Sequence, residues 1–468
     1  MSAGTTPMLE QYWRVKSQHP DKLVFFRLGD FYELFYEDAQ IASRVLELTL
    51  TARENKHERI PMCGVPYHAA ETYLSRLIER GYKVVICDQV EDARRSKGLV
   101  RREVVRVVTP GTLTEGSLLE DRRSNYLVAL YGDAQHWALA AVDLLTGECQ
   151  VTATPARDAL PTLIGELHRL RPAECLLADG ELQGATGATR AGLRDEIERI
   201  GTLTLQPQAD FAAEPARRRL EAQFGPALAG KIVGETPPPV AAALGALLAY
   251  LTATQQQAIR HLKPPRFYQI QDYLVIDATA RQHLELTRRL AEGKPTRAGT
   301  LLAVLDHTLT AMGGRRLEAW LEQPLVRRAE IEARLDAVEQ LWRERAARDQ
   351  LRQRLSAIYD LERLAGRIAL GSANARELLA LRRSLEQVPA IKTLLQDAFS
   401  AELLIDIERR IDPLTDVHEQ LASLVDDPPP TITEGGLFRD GHHAEIDSLR
   451  QAARHGRQWL ADLERDER

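Results

Sequence analysis

Apolar and polar positions follow two periods along this chain, and the change from one to the other divides it. Both are present through residues 1–115. Residues 9–18 carry apolar side chains at helical spacing up to Pro20. Residues 23–28 form an apolar run of strand length, and 36–48 return to a helix with Ile41, Val45 and Leu48 on one face. A further helix is predicted over 68–80, with Tyr73, Leu74, Leu77 and Ile78 as its stripe and Gly81 where a left-handed cap belongs. Residues 84–87 and 104–108 read as strands, and Thr109-Pro110-Gly111 closes a mixed α/β unit.

The pattern restarts with strands over 126–130, 137–144 and 148–152, separated by glycine-containing turns, which predicts a meander. Mixed helix and strand follow up to the break at Pro237-Pro238-Pro239. Beyond it the chain is rich in Ala, Leu and Arg, with helical spacing over 240–258, 283–290, 301–305, 314–321 and 329–355. Pro428-Pro429-Pro430 precedes Glu434-Gly435-Gly436, and a last helical pattern covers 444–467. The expected organisation is a small α/β domain at 1–115, a second α/β domain at 120–245, a helical domain at 246–440 and a further helical piece at 441–468.

Composition narrows the function. The length of 468 residues suits about three domains. A net charge of -6 argues against coating nucleic acid by bulk positive charge, so any contact with DNA must come from local basic patches. Cys63, Cys87, Cys149 and Cys175 have neither zinc-ligand spacing nor a Cys-x-x-Cys pair, and read as buried, reduced thiols of a cytoplasmic protein. No apolar run approaches the roughly 18–20 residues that span a bilayer. The N-terminus lacks a basic-then-apolar signal pattern, so neither secretion nor a membrane partner is expected.

The informative stretch is Gly29-Asp30-Phe31-Tyr32-Glu33-Leu34-Phe35. Taken alone, Phe31-x-Glu33 reads as a strand end with one buried aromatic and one solvated acid. Its neighbours change that reading. Upstream stand Gln18-His19-Pro20 and Phe25-Phe26-Arg27-Leu28. Downstream stand Pro61-Met62-Cys63-Gly64-Val65-Pro66-Tyr67-His68 and Val107-Val108-Thr109-Pro110-Gly111-Thr112. In this order and spacing the blocks resemble the mismatch-binding domain of the bacterial MutS family. Later blocks fit the same family: 245–251, 277–286, 302–306, Met312-Gly313 with Trp320-Leu321, 360–364 and 434–450.

The resemblance implies a multidomain α/β plus α architecture: a small mixed α/β mismatch-binding domain, a ribonuclease H-like connector, a helical core and lever, and the start of a clamp at 441–468. It implies recognition of mispaired bases and small insertion–deletion loops in duplex DNA, with Phe31 as a wedge and Glu33 bonding the displaced base. It also implies a nucleoid-associated place in the cytoplasm and, for a full-length member, a homodimer that works with MutL as an ATP-dependent sliding clamp. ATP and Mg belong to an ATPase domain expected outside this chain. No cofactor, metal or catalytic residue is therefore expected within it.

Residue chemistry agrees with the implied roles. An apolar ring pushed between base steps costs a few kcal/mol of unstacking and kinks the duplex. A mismatched step costs less to open, so deformability is what is read. In an extended segment Glu33 points the same way as Phe31. Backbone phosphate contacts are expected from Arg53, from Met62, Val65 and Pro66 in a loop at 62–66, and from the basic run Arg94, Arg95, Lys97, Arg101, Arg102 and Arg106, whose plain reading is a solvated face. Arg450, Arg454 and Arg457 recur at helical spacing and read as facing solvent rather than DNA.

Three lookalikes are set aside. Gly225 to Lys231 has P-loop spacing, but Ile232 stands where Ser or Thr would hold Mg, and Pro226 removes an N–H from the phosphate nest. Asp143 at a strand end fits a Mg-dependent nuclease only if other acids join it, and Glu174 and Asp179 form no pattern with it. His442-His443 reads as a polar turn. The rival functions are that nuclease and a helical scaffold without mismatch recognition, against which the Phe31 and Glu33 pair argues.

Overall fold

The computed structural model describes residues 6–55, 58–91, 100–180, 184–256, 259–291, 294–429 and 434–466. It forms two compact units: Met1–His307 with Gly313–Val326, and Thr308–Met312 with Arg327–Arg468.

The first unit begins with α1 (Pro7–Gln18), β1 (Leu23–Leu28), β2 (Phe31–Phe35), α2 (Tyr36–Leu46), β3 (Thr51–Asn55), β4 (Glu58–Pro66), α3 (Ala70–Ile78), β5 (Val84–Gln89) and β6 (Arg102–Val108). The strands form one sheet in the order β3-β4-β2-β1-β5-β6. Alternation sends Leu23, Phe25, Tyr32, Leu34, Cys63 and Val65 to the face packed under α2 and α3. Val24, Phe26, Phe35, Ile60, Val85 and Val107 face the other way, under Leu9, Tyr12 and Val15 of α1. Gly81 has a φ of +80°; its N–H bonds Ile78 O at 2.8 Å and that of Tyr82 bonds Leu77 O at 3.1 Å, the paired bonds of a glycine-terminated helix.

A second sheet follows, built from β7 (Tyr126–Gly132), β8 (His136–Asp143), β9 (Glu148–Pro155), α4 (Ala159–Leu170), β10 (Glu174–Ala178), α5 (Gly184–Ile200), β11 (Thr202–Gln206), α6 (Ala213–Phe224), α7 (Pro226–Glu235), α8 (Pro238–Gln255) and β12 (Arg266–Phe267). Its order is β11-β10-β7-β8-β9-β12. The strands β7, β8 and β9 form the antiparallel meander, and β10 and β11 run parallel to β7. The line drawn at 245/246 falls inside α8, an Ala- and Leu-rich helix buried nearly all round, and β12 returns to pair with β9. Gly245 does not end the helix: it lets α8 lie close to α6, where a Cβ would come within 2.3 Å of Ala216, and burial against the sheet carries the helix on to Gln255.

The unit closes with α9 (Ala278–Leu284), β13 (Arg289–Ala291), β14 (Lys294–Thr296), α10 (Leu301–Leu305) and α11 (Ala311–Glu322). The helix expected over 283–290 is not formed. Glu285 turns left-handed at φ 45°, and β13 and β14 make a hairpin instead. Leu284, Leu286 and Leu290 fit two-residue alternation as well as helical spacing, and periodicity alone does not choose between them.

The second unit holds α12 (Arg328–Arg343), α13 (Arg345–Leu355), α14 (Leu361–Ala369), α15 (Ala375–Leu385), α16 (Val388–Ala398), α17 (Glu402–Arg410), α18 (Thr415–Leu421) and α19 (Ala444–Asp466). Ala337, Ile391, Leu395, Phe399 and Leu404 form a core. The single helix expected over 329–355 is broken at Glu344 (ψ 65°), which lets α12 pack on α17 and α13 on α16. Starts are capped as chemistry requires: Asp360 accepts from Arg363 N–H, and Asn374 and Glu377 form a capping box. Among the described residues no helix is long and apolar enough to cross a membrane.

Candidate nucleic-acid interface

The hairpin joining β1 to β2 is the tightest the chain can make. Leu28 pairs with Phe31 across a turn of Gly29 and Asp30, and Gly29 sits at a φ of +58°, which glycine adopts without a Cβ clash. Register then sets direction. Phe26 lies opposite Glu33 and Leu28 opposite Phe31, so Phe31 and Glu33 share the face of Phe26, the side on which α1 packs. That helix covers only part of it. Phe35 is buried, whereas Phe31 is 47% exposed. The next strand places Pro66 opposite Phe31 and Gly64 opposite Glu33. Arg53 of β3 pairs with Ile60, an α1-side residue, and so joins the same face. The uncovered end of the sheet thus carries an apolar ring, a carboxyl and an arginine side by side.

Glycine at 64 leaves a slot between the two key side chains. A Cβ there would lie 3.7 Å from both Phe31 Cδ1 and Glu33 Cγ. Glu33 itself is 19% exposed, and its Oε2 is buried without a hydrogen-bond partner. Arg53 Nη1 stands 4.0 Å away, too far for a hydrogen bond. Burial pushes the Glu33 carboxyl above its ordinary pKa, and the charges of Arg53 and Arg102 only partly offset this. The carboxyl therefore keeps its proton to a higher pH than a solvated glutamate does. Arg102 is fixed in place: its Nε donates to Arg27 O at 2.7 Å and its guanidinium lies 5.2 Å from the Phe26 ring centre.

Other expected contacts are redistributed. Residues 62–66 are not a loop but the end of β4. Val65 is fully buried in the core under α2 and α3, because it falls on the opposite pleat from Gly64, so its side chain is withdrawn from any ligand. Met62 packs partly buried on the α1-side core, and Pro66 alone of the three stands beside Phe31. Arg94, Arg95 and Lys97 lie outside the described residues. Arg101 pairs with Glu103, whereas Arg106 turns to Thr114 at 2.7 Å and to Glu115. Arg450 and Arg454 both reach back to Asp440.

Two residues without an assigned role emerge at the hairpin. Arg27 and Tyr67 lie against it, and their only sequence signal is membership of the Phe25-Phe26-Arg27-Leu28 and Pro66-Tyr67-His68 blocks.

The lookalikes have structural uses. Asp143 accepts N–H groups of Asn125, Leu145 and Thr146 at 3.0, 3.1 and 3.2 Å, tying a turn. Glu174 lies two strands away on the opposite pleat, buried and bonded to Lys83 at 3.1 Å, Thr109 at 2.5 Å and Tyr250 at 2.6 Å. Gly225 precedes α7, with Pro226 as its first residue and Ile232 buried, so these residues do not fit a nucleoside triphosphate. His442 stacks on Phe438 with ring centres 4.7 Å apart, and among the described residues no metal-binding group of His, Cys, Asp and Glu is found.

Comparison with known proteins gives three matches in chain order: MutS domain I over residues 6–117, MutS domain II over 125–263 and MutS domain III over 279–466. The chain is 46% identical, over 98% of its length, to the DNA mismatch repair protein MutS of Pelotomaculum thermopropionicum, covering 53% of that relative. It is 43% identical, over its whole length, to the protein of the same name from Symbiobacterium thermophilum, again covering 53% of it. The chain spans about half the length of the curated relatives it matches. With the three domains following one another along nearly all of it, this chain belongs to the MutS family.

Proposed function

We propose that this chain serves DNA mismatch repair by binding duplex DNA at mispaired bases and small insertion–deletion loops. The observation that carries the reading is the exposed Phe31 ring beside the half-buried Glu33 carboxyl, whose Oε2 has no hydrogen bond, on the uncovered end of a sheet. Phe31 enters a weakened base step and kinks the duplex, at an unstacking cost that is lowest where pairing is already poor. Glu33 meets the displaced base. On paired DNA the same carboxyl faces phosphates with no bond in return, which disfavours that complex. Pro66 flanks the ring and Arg53 the carboxyl, and they supply contacts that carry no sequence information. Within the second sheet, the order β9-β8-β7-β10-β11 with only the first three antiparallel supports a ribonuclease H-like connector.

The longer protein, on this reading, is a cytoplasmic, nucleoid-associated homodimer. It becomes a sliding clamp with ATP and Mg held outside this chain, and it engages MutL. No nucleotide step runs through the residues described.

The test compares one duplex with a single G·T mismatch and its fully paired twin at fixed salt. The unaltered chain prefers the mismatch, and Phe31→Ala removes the preference while keeping general DNA binding. Undiminished preference in Phe31→Ala sinks the wedge.

A further inference from the structure

We infer that Arg27 and Tyr67 are positioning residues that hold the Phe31 hairpin from behind, and that mismatch discrimination depends on them although neither meets DNA. The inference rests on the function proposed above. Strand register puts Arg27 opposite Tyr32, on the pleat facing away from Phe31 and Glu33. The Arg27 guanidinium lies 3.5 Å from the Tyr67 ring centre and 5.5 Å from that of Tyr32. Its Nε donates to Gly29 O, the first carbonyl of the turn. The second, Asp30 O, accepts from Tyr67 N–H at 2.8 Å. Both turn carbonyls are therefore tied to the same stacked pair. Tyr32 is held in turn by its hydroxyl, which donates to Asp88 at 3.0 Å.

The consequence is mechanical. A two-residue turn has little packing of its own, and an exposed ring on such a turn shifts when pressed against a base stack. Discrimination requires that inserting the ring cost more on paired than on mispaired DNA. A yielding turn spreads that cost over its own distortion and blurs the difference. A planar guanidinium stacked on two rings, with Nε aimed at a carbonyl, supplies rigidity that lysine does not.

The test uses the whole chain, unaltered and as Arg27→Lys, Tyr67→Leu, Tyr67→Phe and Phe31→Ala. Amide hydrogen exchange of the free proteins reads the turn without DNA. In Arg27→Lys and Tyr67→Leu, exchange of the Tyr67 amide, the N–H bonded to Asp30 O, rises about tenfold or more while the sheet centre is unchanged. Tyr67→Phe, which keeps the ring, stays as the unaltered chain. On DNA, the two disruptive variants lose about fivefold in mismatch preference, with matched-duplex affinity and its salt dependence intact.

Unchanged exchange overturns the inference, as does discrimination retained in full by both variants. Equal loss on both duplexes with a shallower salt dependence makes Arg27 a phosphate contact and overturns it too. If the unaltered chain and Phe31→Ala bind the two duplexes alike, the proposed function fails, and exchange alone decides whether the hairpin is held this way.

Discussion

At the scale of single residues the chemistry rests on one buried oxygen. Glu33 Oε2 has lost water without gaining a hydrogen bond, and burial is the largest reason its carboxyl titrates above the ordinary range. The folded state therefore holds this proton more tightly than the unfolded chain does. The resulting penalty is absent in acid, below the unfolded pKa. It grows as pH rises to the folded value and stays constant above it. Glu33→Gln thus raises the thermal midpoint at neutral pH and leaves it unchanged in acid, which a melting series across pH checks. Phosphates brought close by binding favour the protonated form further. Mismatch affinity should accordingly fall as pH rises in the unaltered chain and stay flat in Glu33→Gln; parallel profiles would mean that binding neither adds nor removes a proton at Glu33.

Elements decide whether that carboxyl and the Phe31 ring are usable together. Two adjoining strands, β2 and β4, place Gly64 across from Glu33, where a single added carbon meets Glu33 and Phe31 at ordinary contact distance. Gly64→Ala fits that space at ordinary contact distance. In Gly64→Val the added methyls crowd the ring and the carboxyl while suiting the strand backbone. Stability should hold or rise in both variants, and only Gly64→Val should lose mismatch preference. A melting curve with paired-duplex and mismatch titrations separates these effects; preference kept by Gly64→Val would mean the slot stays empty in the complex.

Across the first unit, the two sheets meet at a buried ion pair. Lys83, just before β5, lies 3.1 Å from Glu174 of β10, and Glu174 is fully buried. Burial would push that carboxyl up, but Lys83 and hydrogen bonds from Thr109, Thr204 and Tyr250 hold it below the ordinary range. Gly111 also gives its N–H at 3.1 Å, a close approach that a Cβ would block by coming within 2.9 Å of Glu174. A depressed carboxyl contributes stability that is present above its unfolded pKa and lost as pH falls through the folded one. Lys83→Met strands the charge and should cost roughly 3–5 kcal/mol at neutral pH. The deficit narrows in acid as the carboxyl takes up a proton. Urea unfolding at the two conditions measures it, and an equal deficit at both would place the loss in packing rather than charge.

Local chemistry written in the sequence was enough for much of this protein. The left-handed cap at Gly81, the meander from Tyr126 to Pro155 and the shared direction of Phe31 and Glu33 follow from residue type and period, which act between near neighbours. The ordered blocks likewise made the family legible. Pairing across the sheet was not legible, because it joins residues far apart in the chain. It turned the expected loop at 62–66 into a strand, buried Val65 and brought Arg53 to Glu33. Leu284, Leu286 and Leu290 satisfied two periods at once; Leu284 stayed in the helix, and only the hairpin partner at 294–296 put Leu290 in a strand. Glu174 looked like one more acid until four separate segments, those of Lys83, Thr109, Thr204 and Tyr250, closed over it. A side chain's period is set by its own backbone; its burial, partners and proton affinity are set by whatever the fold packs against it.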